Sequence, residues 1–216
     1  MNDVTHPQRG LRLLRALARR PLDLPRYLRY LPLWKRWPTD VEQPWMAFGA
    51  IDFLQRRLRP DTRVFEFGSG GSSFFFARRA GQVLSVENIL AWQQRVAGLA
   101  NERGLANLRC DYHPIDLSRP DLYPGLSYLS ALQPRAHDII VVDGFCDYQN
   151  AEHGLLRDLT FDRALACVRR PGGLIVVDDY WRFPGMAARA PDARLTVFES
   201  TGPCRYGVTS TAVFEF

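Results

Sequence analysis

The residues with the clearest chemical meaning lie in one stretch, Val64-Phe65-Glu66-Phe67-Gly68-Ser69-Gly70-Gly71-Ser72-Ser73. Glycines let a backbone come close to a ligand, and a helix opening behind them offers unbonded N–H groups. The apolar run before the loop ends in an acid, Glu66. A carboxylate at that point repels a pyrophosphate and attracts a cation. The spacing of Gly68, Gly70 and Ser73 nearly meets G-x-G-x-x-G, so a nicotinamide dinucleotide is the rival ligand. Glu66 tips the choice toward S-adenosylmethionine, which carries an ammonium and a sulfonium. A second acid, Glu87, follows Gly68 by nineteen residues, a spacing suited to two ribose hydroxyls.

Later apolar runs also end in acids. Asp143 follows Ile139-Ile140-Val141-Val142, and Asp178-Asp179 follows Leu174-Ile175-Val176-Val177. Ligands of open parallel sheets sit beyond the carboxyl ends of strands, where the strand order reverses. Asp143 falls there and is the first candidate at the reacting end; its alternative role is to cap the next helix. His113 and His153 are candidate bases, since an imidazole near neutral pKa can take a proton from a hydroxyl or amine. Each is alternatively an ordinary loop histidine. His6 and His137 look peripheral or structural. Phe145, Tyr148, Tyr180 and Trp181 share the acidic edge, as an acceptor pocket or as a cover for the sheet.

Composition removes other chemistries. Of 28 basic residues only Lys35 is lysine, and it follows Trp34 rather than a Gly-rich loop. A P-loop, a Tyr-x-x-x-Lys dehydrogenase pair, a Schiff-base lysine and a kinase strand lysine are all disfavoured. Cys110, Cys146, Cys167 and Cys204 form no C-x-x-C. Free thiols in a reducing cytoplasm are the simple reading. No secretory signal is visible, and no apolar run reaches the ~20 residues of a membrane span.

These groups must be positioned by alternating strands and helices. Strands are expected at residues 63–67, 83–86, 108–112, 138–142 and 174–177, with a closing pair at 195–198 and 211–214. Helices are expected near 46–58, 72–80, 89–103, 126–132 and 153–169. That alternation argues for a doubly wound, mostly parallel sheet with an antiparallel edge. Phe74-Phe75-Phe76 reads as core.

Residues 1–44 read as an appended arm, and 45–216 as the domain. Residues 1–37 hold nine basic groups against Asp3 and Asp23, a net of +7, while the remainder is −2 of the total +5. Leu11, Leu14, Leu17 and Ala18 recur at helical spacing among arginines. Pro21, Pro25, Pro32 and Pro38 then break the chain between Tyr27, Tyr30, Trp34 and Trp37. Such an arm suits peripheral contact with an anionic membrane at its inner face, or a cap or substrate lid on the domain. Nucleic acid is disfavoured because the body adds no basic patch.

Glu66-Phe67-Gly68-Ser69-Gly70 resembles the first motif of class I S-adenosylmethionine-dependent methyltransferases, Asp/Glu-x-Gly-x-Gly, with Ser72 replacing the third glycine of the fuller pattern. The resemblance covers residues 45–216. It implies a seven-stranded Rossmann-like methyltransferase sheet of order 3-2-1-4-5-7-6. It also implies that Glu66, Gly68, Ser69, Gly70 and Gly71 surround the methionine part of the cofactor, that Glu87 binds the ribose, and that Asp111 lies near the adenine, with Asp143 closing the site. Tyr112 or His113 can pack at the adenine instead. Asp143, Asp178 and Asp179 further resemble the Mg²⁺ site of catechol and caffeoyl-CoA O-methyltransferases. Asp179 stands where that subfamily has Asn, and its lysine after the first Asp is absent. The expected activity is methyl transfer to a small or medium acceptor at oxygen or nitrogen, in the cytoplasm. The alternatives are a nicotinamide-dependent oxidoreductase and a non-catalytic cofactor-binding module tethered by its arm.

Overall fold

Apolar residues two apart build the sheet from both sides. In β1 (Arg63–Phe67) Val64 faces one layer, while Phe65 and Phe67 face the other. The same split separates Ile139 and Val141 from Ile140 and Val142 in β4 (Ile139–Val142), and Leu174 and Val176 from Ile175 and Val177 in β5 (Leu174–Val177). Strands buried on both faces read as continuous apolar runs, the parallel-sheet signature. β2 (Gln82–Glu87) and β3 (Leu108–Tyr112) extend the sheet on one side. β6 (Arg194–Ser200) and β7 (Thr209–Glu215) close the other. The order is β3-β2-β1-β4-β5-β7-β6, and β7 runs antiparallel to both β5 and β6. The computed structural model describes residues 6–33, 35–144 and 151–216, and their side chains except at 6, 7 and 151–154.

Helices cover both faces. α4 (Phe48–Arg57), α5 (Gly71–Ala77) and α6 (Leu90–Glu102) follow the residues of the first layer. The short α7 (Ser127–Ser130) and the long α8 (Ala151–Cys167) lie against the second. A four-residue α9 (Met186–Arg189) follows β5. Among the described residues no helix is long and apolar enough to cross a membrane.

The basic segment is folded rather than trailing. α1 (His6–Arg19), α2 (Asp23–Tyr30) and α3 (Pro38–Val41) precede α4. Pro25 does not break α2, because it sits in the first turn, where a missing N–H costs no helical bond. The stripe of Leu11, Leu14, Leu17 and Ala18 is also divided differently. Leu13 and Leu17, four apart, pack on the first layer, whereas Leu11 and Leu14 point outward. Tyr27 joins the same core as Ile51 and Leu54. Arg20 donates to Asp23 (2.7 Å) and Arg26 to Asp52 (2.7 Å), pinning α2 to α4. Residues before 45 therefore share a core with those after it.

Candidate active site

The carboxyl ends of β1, β2, β4 and β5 converge around the glycine loop. Gly68 has φ +91°, a left-handed value that favours glycine. A Cβ there would lie 2.9 Å from Gly144 Cα, so the loop after β1 rests directly on the end of β4. Its N–H donates to Val86 O (2.9 Å), and Asp143 N–H donates to Phe67 O (3.2 Å). These bonds lock three strand ends together at the point where the order reverses.

Glu66 projects on the Val64 face, beneath α5, and is buried. The hydroxyls of Ser73 and Ser85 both donate to its Oε2, leaving Oε1 with no hydrogen-bond partner among the described residues. Burial pushes its carboxyl up to about 7, against the pull of the serine hydroxyls. Ser72 adds to that electrostatic pull without making a bond of normal geometry. Gly70 N–H, expected to be free for a ligand, donates to Ser73 Oγ (3.0 Å). Ser69 Oγ donates to Glu87 Oε2 (2.9 Å), and the N–H groups of Asn88 and Ile89 occupy Oε1 (2.9 and 3.0 Å). Burial raises the Glu87 pKa as well. Glu66, Glu87 and the loop Gly68–Gly71 are thus brought together.

Other expected residues are more dispersed. Asp111 accepts from Arg109 Nε (2.7 Å) on the outer strand β3. His113 sits beside Glu87: its backbone N–H donates to Glu87 O (2.8 Å) and its ring Nδ1 bonds Ser127 Oγ (3.0 Å). That places it on the β2–β3 side of the edge, away from the β4–β5 side where Asp143 lies. The side chain of His153 and residues Phe145, Cys146 and Tyr148 lie outside the described residues. His137 is buried edge-on to Phe65, ring centroids 5.3 Å apart, at the amino end of β4.

The aspartates divide as well. Burial and the neighbouring carboxylate of Asp178 raise Asp143 well above the ordinary range, while Arg157 pulls it down. Asp178, buried and pushed up to about 6 by burial and by Asp179, accepts from Thr211 Oγ1 (2.7 Å). Asp179 turns away toward Thr209 Oγ1 (3.1 Å) and Arg205 (3.4 Å). Among the described residues no three His, Cys, Asp or Glu side chains are grouped to hold a metal. Mg²⁺ at Asp143, Asp178 and Asp179 does not fit this arrangement, because hard cations need several convergent oxygens.

Sequence reasoning missed several groups. Arg157 in α8 is buried and donates to Val142 O (3.0 Å), Asp178 O (3.2 Å) and Gly144 O (2.7 Å). It clamps the ends of β4 and β5, with Asp143 Oδ1 at 3.8 Å. A basic residue on the inward stripe of Leu156, Thr160 and Phe161 was the available signal. Tyr128 packs its ring on Phe67, centroids 5.4 Å apart, and a Cβ on Gly144 would lie 2.5 Å from its hydroxyl. Trp92 Nε1 donates to Ser69 O (2.8 Å), and Trp37 packs its ring on Trp92, centroids 5.6 Å apart. A Cβ on Gly71 would lie 2.5 Å from Pro38 O. The segment around α3 therefore lies over the start of α5, held by Arg95 to Asp40 (3.1 Å) and Arg103 to Glu42 (3.1 Å).

No family model matches the sequence. No curated protein matches it either. Solved structures do match the fold. The O-methyltransferase TomG from Streptomyces achromogenes, solved with SAM, is 22% identical over 77% of this chain and 78% of its own, with a TM-score of 0.51. Precorrin-6y C5,15-methyltransferase from Geobacter metallireducens is 11% identical over 77% and 87%, with a TM-score of 0.54. An O-methyltransferase from Bacillus cereus, solved with SAH, is 20% identical over 76% and 77%, with a TM-score of 0.50. The chain has the fold of the class I S-adenosylmethionine-dependent methyltransferases, with the strand order that the first-motif resemblance implies.

Proposed function

We propose that this chain is an S-adenosylmethionine-dependent methyltransferase acting on oxygen or nitrogen of a small-molecule acceptor. The observation that carries the reading is Glu66, a buried carboxyl with one unpartnered oxygen beside the Gly68 loop. A buried acid of that kind calls for a cation, and the cofactor's ammonium supplies one. A pyrophosphate would meet the buried carboxylates of Glu66 and Glu87 at the same strand ends, which disfavours the nicotinamide alternative. Glu87 would hold the ribose hydroxyls, exchanging bonds it now makes to Ser69 and the Asn88 backbone.

S-adenosylmethionine supplies a methyl carbon on a sulfonium, open to in-line displacement by a lone pair. The chain's own part is positioning and proton handling. Asp178 is buried and Asp143 is partly exposed beside it, and their mutual repulsion makes the pair hold a proton more tightly than isolated aspartates do. Asp143, the more accessible of the two, would accept the proton of the acceptor hydroxyl or amine. Arg157 would fix the β4 and β5 carbonyls around it and keep its charge tolerable.

Titration calorimetry tests the reading. S-adenosylhomocysteine should bind the wild type, and Glu87→Ala should weaken it about 10- to 100-fold, the worth of charge-assisted hydrogen bonds. NADH binding without S-adenosylhomocysteine binding would overturn it.

A further inference from the structure

We propose that the outward face of α1 and α2 is a docking surface for anionic lipid. The inward face is already committed, through Leu13, Leu17, Tyr27 and the Arg20–Asp23 and Arg26–Asp52 pairs. What remains outside includes a set of exposed leucines. Leu11 is 48% exposed, Leu14 66%, Leu22 87% and Leu28 54%. Leu11, Leu14 and Ala18 follow i, i+3, i+7 along α1, Leu22 lies in the turn that joins it to α2, and Leu24 and Leu28 follow i, i+4 along α2, with Leu31 just past its end. Within each helix the exposed apolar residues share one stripe. A soluble surface gains nothing from leucines placed in this way.

The charge beside those stripes names the partner. Arg9, Arg12, Arg15, Arg19, Arg29 and Arg36 make no ion pair among the described residues, in contrast to Arg78, Arg95 and Arg103 on the body. Asp23 is the one carboxylate between residues 8 and 36, and it is buried. Leucines flanked by unpaired arginines suit the boundary between acyl chains and anionic headgroups. A second copy fits worse, because two such faces repel. Nucleic acid fits worse because the exposed apolar groups on the stripes are leucines, with no ring for base stacking.

Flotation of the full chain with vesicles tests the surface, and needs no cofactor, so its failure is separate from failure of the transfer reading. Vesicles of equal parts phosphatidylglycerol and phosphatidylcholine should carry the protein, and phosphatidylcholine alone should not. Salt at about 0.5 M should release it. Arg12→Gln, Arg15→Gln and Arg19→Gln should each weaken partition about fivefold. The combined Leu14→Gln, Leu22→Gln and Leu28→Gln variant should lose flotation while keeping its thermal midpoint. Equal binding to neutral vesicles, or binding that survives both sets of substitutions, overturns the surface. So does a wild-type dimer that the leucine substitutions dissociate, or an RNA oligonucleotide retained where vesicles are not.

Discussion

Replacing Glu66 by glutamine should make the ligand-free protein more stable, and increasingly so as pH rises. Burial raises its carboxyl from 4.5 to about 7. At about 1.4 kcal/mol per tenfold change in proton affinity, ionised Glu66 costs the fold about 3 kcal/mol. The native state holds this proton more tightly than the unfolded chain does. Its contribution is therefore fully present below pH 4.5, is lost between 4.5 and about 7, and stays lost above. Glutamine copies the shape of the neutral acid, still accepts from Ser73 and Ser85, and cannot ionise. The thermal midpoint of Glu66→Gln, relative to wild type, should climb by about 6–12 °C between pH 4.5 and 8. Cofactor binding should show the reverse. A cationic ligand selects ionised Glu66, so wild-type affinity for S-adenosylmethionine should rise about tenfold more between pH 6 and 8 than that of the variant. Scanning fluorimetry and calorimetry read the two effects. A midpoint difference that does not change with pH would refute the idea that Glu66 is the desolvated acid of this site.

Gly68→Ala should destabilise by about 2–5 kcal/mol, combining a left-handed alanine with a Cβ driven into Gly144; an unchanged urea midpoint would show that the loop and the end of β4 are not locked together. Arg157→Met strips donors from three backbone carbonyls, two of them in buried hydrogen bonds, and should cost about 3–5 kcal/mol by chemical denaturation. Wild-type stability in that variant would deny Arg157 its clamp. Tyr27→Phe removes a buried hydroxyl that has no partner among the described residues and should raise stability by about 1 kcal/mol. A loss of similar size would mean that the hydroxyl is bonded.

The sheet was legible in the sequence because each central strand is a short run of branched or aromatic residues ending in a polar break. Ile139-Ile140-Val141-Val142 has no plausible helical reading at that length. Glu66 and Glu87 were legible too, since spacing along the chain fixes where two adjacent strand ends fall. Ser85 could have been found the same way: it pairs with Glu66 across β1 and β2, a polar residue at an otherwise apolar position. Arg157 and Tyr128 could not be placed, because each reaches its partners only after helices fold back across the sheet. The aspartates show the same limit. Asp178 and Asp179 are adjacent in sequence, but with Asp179 in a left-handed backbone (φ +50°) the two side chains accept from different threonines of β7, Thr211 and Thr209. Proximity in the chain did not amount to a shared ligand set.

Charge is segregated in this molecule, and each half of the separation is unfavourable alone. Glu66, Glu87, Asp143 and Asp178 gather at one sheet edge, and burial is the first cause of the raised pKa at all four. Arg157 is a buried cation among them, and its two terminal nitrogens donate to backbone carbonyls. Arg9, Arg12, Arg15, Arg19 and Arg29 of α1 and α2, which could neutralise such acids, stand outside and make no ion pair among the described residues. A fold seeking only stability would bring the two sets together, as it does at Arg20, Asp23, Arg26 and Asp52. Keeping them apart leaves an acidic edge that gains most from a cationic ligand and a basic face that gains most from an anionic surface. Binding energy at each place then comes partly from relieving a cost already present in the free protein.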